Sequence, residues 1–272
     1  MPNAGDANVS ATKRILVVGP SGTGKTAQTW TLPGRKFLYR FDPNALSTIQ
    51  GNKEVDYEDF LPDIAELDAS LKGFNKGAKD DSIKDNKGRK VDKEPTTYVK
   101  WVDDLNEKGA SGFFNSYNWL CIDGLTHLAK CCMQRQLYIN GRYGDVEELA
   151  DYRVVGSKLT SVFESICSTD INIFMTAHMD TYQDEKTQRI ITQIRSPGSS
   201  RSMLPLIFTD IWGSEYDTDK GVYLMRTKPD KRGLKDIRCS MSNVPELVDV
   251  TIPNFPSNRG GIGALLEKYN RT

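Results

Sequence analysis

This 272-residue chain has no net charge, no long apolar run and no paired-cysteine spacing. Lys and Arg together number 36, as do Asp and Glu, so overall charge points to neither a nucleic acid nor a membrane. No stretch approaches the ~18 apolar residues that a membrane span needs. The first twelve residues are polar and lack the apolar region of a signal peptide, so they read as a loose tail on a cytoplasmic protein. Cysteines are few and odd in number (five), and none forms a C-x-x-C pair. They are expected to be reduced and mostly buried as small apolar side chains. What is present is ordinary for a globular protein: 38% hydrophobic and 26% charged residues, which excludes wholesale disorder. The length is enough to bury a core without disulfides or a structural metal.

The order of segments argues for an α/β fold. Arg14–Gly19 (RILVVG) is a short β-branched run of the kind found in buried parallel strands. A helical stretch from Lys25 to about Trp30 follows and is closed by Leu32-Pro33-Gly34. Strands are predicted at Lys36–Phe41, Val55–Phe60, Trp119–Ile122 and Ile171–Thr176. Helices are predicted over Asp63–Leu71, Thr96–Glu107, Leu125–Leu137 and within Glu147–Cys167. Alternation of this kind gives a mostly parallel sheet with helices on both faces. Residues 72–95 are rich in Lys, Asp, Gly and Asn and poor in large apolar residues, so they read as a polar mobile insertion, open to proteolysis, with a basic contact arm for nucleic acid as the other reading. Beyond His178, short strand-like runs at Ile190–Ile194, Leu206–Trp212, Val222–Arg226 and Asp236–Cys239 read as an antiparallel extension of the same sheet. A last helix is predicted over Gly263–Tyr269.

One motif carries explicit chemistry. Gly19-Pro20-Ser21-Gly22-Thr23-Gly24-Lys25-Thr26 matches G-x-x-x-x-G-K-[ST] at every fixed position, between a predicted strand and a predicted helix. Such a loop wraps a phosphate with main-chain N–H groups. Lys25 reaches the β- and γ-phosphates of ATP, and the Thr26 hydroxyl ligates Mg2+. A second metal group is expected at the tip of another buried strand, where Asp123 fits; the same residue is also placed to cap the next helix. The residue after it is Gly124, not Glu, so either hydrolysis is slow or a water-activating carboxylate comes from elsewhere, with Asp42 the best placed and Glu54 and Asp56 weaker candidates. Asp42 also reads as a turn-initiating residue before Pro43. Thr176 and His178 end a strand that, in P-loop folds with an additional strand, lies between the phosphate-loop strand and the acid-bearing strand, so His178 is a candidate γ-phosphate sensor. His127 reads as structural.

Taken together, Gly19–Thr26, WLCIDGLTHL (119–128), Asp151-Tyr152, FMTAH (174–178), the run from Leu204 to Trp212 and the basic run Arg226–Asp236 resemble phage-encoded RecA-like ATPases of the single-strand annealing type. The resemblance extends from about Lys13 to Tyr269, apart from 72–95. It implies one RecA-like P-loop domain over 13–272, working as a homo-oligomer on single-stranded DNA in phage recombination or replication, alongside phage single-strand binding or replication proteins. It implies a glutamate at the end of the second core strand, where this chain has Asp42-Pro43. It implies a DNA-touching loop, matched by Arg195 to Arg201, with Arg195 and Arg201 as the contacts. It also implies basic residues reaching the neighbouring subunit's nucleotide, matched by Lys228, Lys231 and Arg232. Residues 186–239 hold eleven Lys/Arg against six Asp/Glu, a local excess that suits phosphates and equally suits a solvated sheet edge. Two other readings fit the same residues. One is an ATP-gated assembly or binding protein with negligible turnover. The other is a small-molecule P-loop kinase with Arg195 and Arg201 on a lid, against which the long antiparallel tail argues.

Overall fold

A computed structural model describes residues 12–62, 83–84, 90–91, 94–183, 185, 188, 190–197, 200–229 and 236–269. Its centre is an eight-stranded sheet in the order β12-β11-β10-β1-β7-β6-β2-β3. The strands are β1 (Arg14–Val18), β2 (Lys36–Arg40), β3 (Val55–Asp59), β6 (Trp119–Asp123), β7 (Asn172–Ala177), β10 (Asp210–Asp217), β11 (Val222–Arg226) and β12 (Leu247–Asp249). Six of them, from β10 to β3, run parallel, while β11 and β12 are antiparallel. Strand β7 lies between β1 and β6, as expected for a P-loop fold with an additional strand. This order, with the phosphate loop on β1 and Asp123 on β6, is the RecA-like P-loop fold.

Both faces of the parallel strands are covered, which is why β1 and β6 read as continuous apolar runs. Leu16, Val18, Tyr39, Ile122 and Met175 face one layer together with Trp101, Leu128, Leu159 and Phe163. These last four belong to helices α2 (Thr97–Ala110), α3 (Leu125–Ile139) and α4 (Leu149–Cys167). Ile15, Val17, Leu38, Cys121 and Phe174 face the other layer, with Ile49 of α1 (Ala45–Ile49) and Leu265 and Leu266 of α6 (Gly261–Tyr269). Four of the five cysteines are buried, and all five are free thiols.

Three expectations need correction. Leu206–Trp212 is not one strand: α5 (Ser200–Ile207) ends there, and β10 then runs parallel to β1 as a core strand. Ile190–Ile194 does not join the main sheet; β9 (Ile190–Ile194) pairs with β8 (Met179–Gln183) in a separate hairpin. Asp236–Cys239 makes a single bridge, Arg238 to Ile211, rather than a strand. Period alone cannot separate short apolar strands from short apolar helices, nor tell which sheet a strand joins. Within 72–95 the structure describes a short antiparallel pair, β4 (Ile83–Lys84) with β5 (Lys90–Val91). The rest of that insertion, apart from 94–95, and the helix expected at 63–71 lie outside the described residues. Among the described residues, no helix is long and apolar enough to cross a membrane.

Candidate nucleotide site

In a parallel sheet the carboxyl ends of the strands share one edge, and loops leaving that edge converge. Here the loop after β1 brings Lys25 and Thr26, β2 leads to Asp42, β6 ends on Asp123, and β7 ends beside His178. These residues line one cavity of about 390 Å3, together with Ser21, Gly22 and Gly24 of the loop.

The helical stretch expected from Lys25 to about Trp30 is present as a six-residue 3-10 helix, Thr26–Thr31. Its threonines favour the 3-10 form. Thr29 Oγ1 donates to the Thr26 carbonyl at 2.8 Å, and Thr31 Oγ1 donates to the Gln28 carbonyl at 2.9 Å. Such back-bonding competes with regular helix, and Pro33 stops it. The loop is braced from β10, where Ser214 Oγ donates to the Thr23 carbonyl at 2.6 Å. Gly24 has φ +76°, and a Cβ there would lie 3.0 Å from the Tyr223 ring, so glycine meets both a backbone and a packing demand.

Lys25 is buried and folded back onto its own loop, with Nζ donating to the carbonyls of Gly19 at 3.0 Å and Pro20 at 2.5 Å. Burial pushes its pKa down to about 8, against the pull of Asp123 and then Asp42. Asp123 is 2% exposed. Its carboxylate accepts from Thr26 Oγ1 at 3.0 and 3.1 Å and from Thr176 Oγ1. Burial raises the Asp123 pKa, and the bonds from Thr176 and Thr26 oppose the rise. Thr176 Oγ1 also accepts the Gly124 N–H at 3.1 Å, so the tip of β7 orients the end of β6. Asp42 Oδ1 accepts the Asn44 N–H at 2.9 Å, which is the turn role expected of it, while its side chain still lines the cavity.

His178 lines the cavity, and burial, then Lys25 and His127, lower its pKa, which keeps the imidazole neutral near pH 7. His127 stands 6.5 Å away, ring to ring, with a buried Nδ1 that has no hydrogen-bond partner among the described residues.

Arg195 and Arg201 come together at a second cavity of about 370 Å3, which Lys130, Tyr152 and Ser196 also line, with Asp180 and Glu147. Arg195 is exposed and pairs with Asp180 at 3.4 Å. Arg201 Nε is buried without a hydrogen-bond partner among the described residues. The two cavities are linked through main chain. Arg195 N donates to the His178 carbonyl at 2.8 Å, and Thr126 Oγ1 lies 3.4 Å from both His178 N and the Arg195 carbonyl. Asp151, quoted above for its place in a motif, has a structural role: it closes the capping box of α4 and pairs with Arg142 at 3.0 Å. Lys228 is exposed and does not line the nucleotide cavity. Lys231 and Arg232 lie outside the described residues.

The same cavity is also lined by residues the sequence did not single out: Asn44, Ala45, Thr48, Tyr223, Ile252 and Phe255. No local pattern marks them, because they come from three distant segments.

The donor set near Thr26 suits magnesium, a hard cation that takes oxygen ligands and keeps several waters. A hydroxyl and a carboxylate converge there, and no group of three or more His, Cys, Asp or Glu suited to a metal occurs among the described residues. Nucleotide phosphates and water would have to complete the shell.

No curated protein matches the chain. Among solved structures, the flagellar accessory protein FlaH from Methanocaldococcus jannaschii aligns at 12% identity and a TM-score of 0.36, covering 92% of this chain and 86% of that one. The KaiC-like protein PH0186 from Pyrococcus horikoshii OT3 aligns at 10% identity and a TM-score of 0.36, covering 79% and 77%. A family model described as an AAA domain matches residues 11–234, which include the phosphate loop, Asp42, Asp123 and His178. The chain therefore belongs to the AAA domain family of P-loop ATPases.

Proposed function

We propose that this chain is a magnesium-dependent ATPase whose nucleotide state governs binding of single-stranded DNA, in phage recombination or replication, by an assembly of identical subunits. The observation that carries the reading is the convergence of Lys25, Asp42, Asp123 and His178 on one cavity at the carboxyl edge of the sheet. Lys25 leaves the Gly19 and Pro20 carbonyls and meets the β- and γ-phosphates, where a cation is most valuable in a dry site. Thr26 and Asp123 would hold magnesium, which neutralises phosphate charge when bound. Asp42 orients a water against the γ-phosphorus and takes its proton as the bond to the β–γ bridging oxygen breaks, leaving ADP and phosphate. His178, neutral and facing the same cavity, reads the γ-phosphate. Its main-chain bond to Arg195 passes that reading to the cationic cavity. There Arg195, Arg201 and Lys130 are suited to backbone phosphates, and Tyr152 to a base.

A specific observation supports a second reading, ATP binding with negligible turnover. Gly124 sits at φ +101°, and a Cβ there would lie 3.0 Å from Asp42 N, so the backbone has no place for a glutamate after Asp123. Asp42 is then the one carboxylate lining the cavity that is not engaged by Thr26 and Thr176. Phosphate release, measured with and without single-stranded DNA, separates the readings. Turnover stimulated by DNA, and lost in Lys25→Ala and Asp123→Ala, supports the first. ATP binding without release supports the second.

A further inference from the structure

The family match ends at residue 234, yet the nucleotide cavity does not. After β12 the chain runs along β11. Val250 N donates to the Tyr223 carbonyl at 2.8 Å, and Tyr223 N donates to Thr251 Oγ1 at 2.9 Å. The side chain of Gln28, two residues beyond Thr26, is buried and holds this region twice. Its Nε2 donates to the Val250 carbonyl at 3.1 Å, and its Oε1 accepts the Ile262 N–H at 2.8 Å. Thr31 Oγ1 accepts from Gly263 N at 3.1 Å. The turn behind the phosphate loop therefore clamps both ends of the segment 250–262.

Between the clamped ends, Ile252 and Phe255 face the cavity. Ile252 is buried, but Phe255 is 45% exposed although its edge meets Trp30 at 5.8 Å. Trp30 is itself tied to α1, where Nε1 donates to the Thr48 carbonyl at 2.6 Å. Ala45 and Thr48 of α1 line the same cavity. Ile252, Phe255 and Ala45 supply apolar surface in it. The carboxylates that line the cavity, Asp42 and Asp123, belong to the Lys25 end, since both pull on its charge. Phosphates have nothing to gain from such a wall, whereas the face of a heterocyclic base does.

Building on the ATP-binding reading, we propose that the C-terminal segment completes the nucleotide site, with Phe255 and Ile252 as the surface that takes the base and Gln28 as the anchor that holds them over the phosphate loop. The base is then recognised by contact with its face.

The experiment is calorimetric titration of the full chain with ATP and, separately, with inorganic tripolyphosphate, which carries the phosphates and no base. In Phe255→Ala, ATP affinity should fall by about tenfold, the scale of one base–aromatic stacking contact, with tripolyphosphate affinity unchanged. Phe255→Tyr should restore ATP affinity. Because the Phe255 ring is half exposed, its removal leaves no core cavity. Equal loss for both ligands, or no loss for ATP, overturns the assignment of the base to this wall. A parent protein that binds neither ligand overturns the nucleotide reading itself. Lys25→Ala serves as the contrast, since it should weaken both ligands together.

Discussion

The hydroxyl of Thr26 donates to both carboxylate oxygens of Asp123, at 3.0 and 3.1 Å, across 97 residues of chain. This contact joins the end of the phosphate loop to the tip of β6 at the place where magnesium would sit. Thr176 completes it from β7. Three adjacent parallel strands thus converge on one carboxylate.

Lys25 gives the site a pH dependence. With a pKa of about 8, its ammonium is half deprotonated at that pH and mostly neutral above it in the nucleotide-free protein. A triphosphate beside it favours the charged form, so the bound state holds more protons than the free state above pH 8. ATP affinity is therefore insensitive to this group below pH 8 and falls above it, by up to about tenfold per pH unit. Calorimetry in buffers of different ionisation enthalpy should find almost no proton uptake at pH 7 and uptake approaching one proton at pH 9. No uptake at pH 9 would mean that Lys25 does not meet the phosphates.

Arg195 and Arg201 should set the salt dependence of binding to single-stranded DNA. Removing two phosphate contacts should reduce the slope of log affinity against log salt by about 1.4. ATP affinity in the double alanine variant should stay at the parent value. An unchanged DNA affinity would move the contact surface away from the cavity that these arginines share with Lys130 and Tyr152.

Lys228 does not line the nucleotide cavity of its own chain, so a role in catalysis would have to be at a neighbour's nucleotide. ATPase activity should then rise faster than linearly with protein concentration. Lys228→Ala should lose more than about tenfold in turnover while still binding ATP, as expected when a cation supplied from outside stabilises the transition state. Mixing it with Lys25→Ala should restore part of the activity, because one mixed interface carries an intact loop and an intact lysine. Strict proportionality to concentration, with no rescue, would show the site to be complete within one chain.

Gly124 should tolerate no side chain. Gly124→Ala puts a Cβ at φ +101° and 3.0 Å from Asp42 N, a strain of about 1–3 kcal/mol. Thermal unfolding should shift down by several degrees. A melting temperature equal to the parent's would mean that the backbone leaving β6 is not held in this conformation.

The phosphate loop and Asp123 were legible in the chain because their chemistry depends on local order. Glycines, lysine and threonine at fixed spacing, and an acid at the end of a buried apolar run, leave a mark within a few residues. The placing of β7 beside β1 was not legible in that way; it was expected because P-loop folds with an additional strand insert it between the phosphate-loop strand and the acid-bearing strand. Asp42 was legible as the best placed of three acids, ahead of Glu54 and Asp56, and its turn bond to Asn44 N is as local as the Asp-Pro pair that signals it. That its side chain shares a cavity with Lys25 and Asp123 comes from the fold. What the chain did not display was long-range. Whether Leu206–Trp212 was one strand or a helix end and a strand depended on β10 docking parallel to β1, a choice made by the whole sheet. The meeting of Arg195 and Arg201 at one cavity depended on the packing of α5 against α4. The wall of Tyr223, Ile252 and Phe255 depended on Gln28 reaching Val250 across 222 residues. Local spacing determines what a loop can bind. Only the tertiary structure determines what surrounds the bound group, because apolar contacts carry no spacing rule and are set by whichever surfaces the sheet brings together.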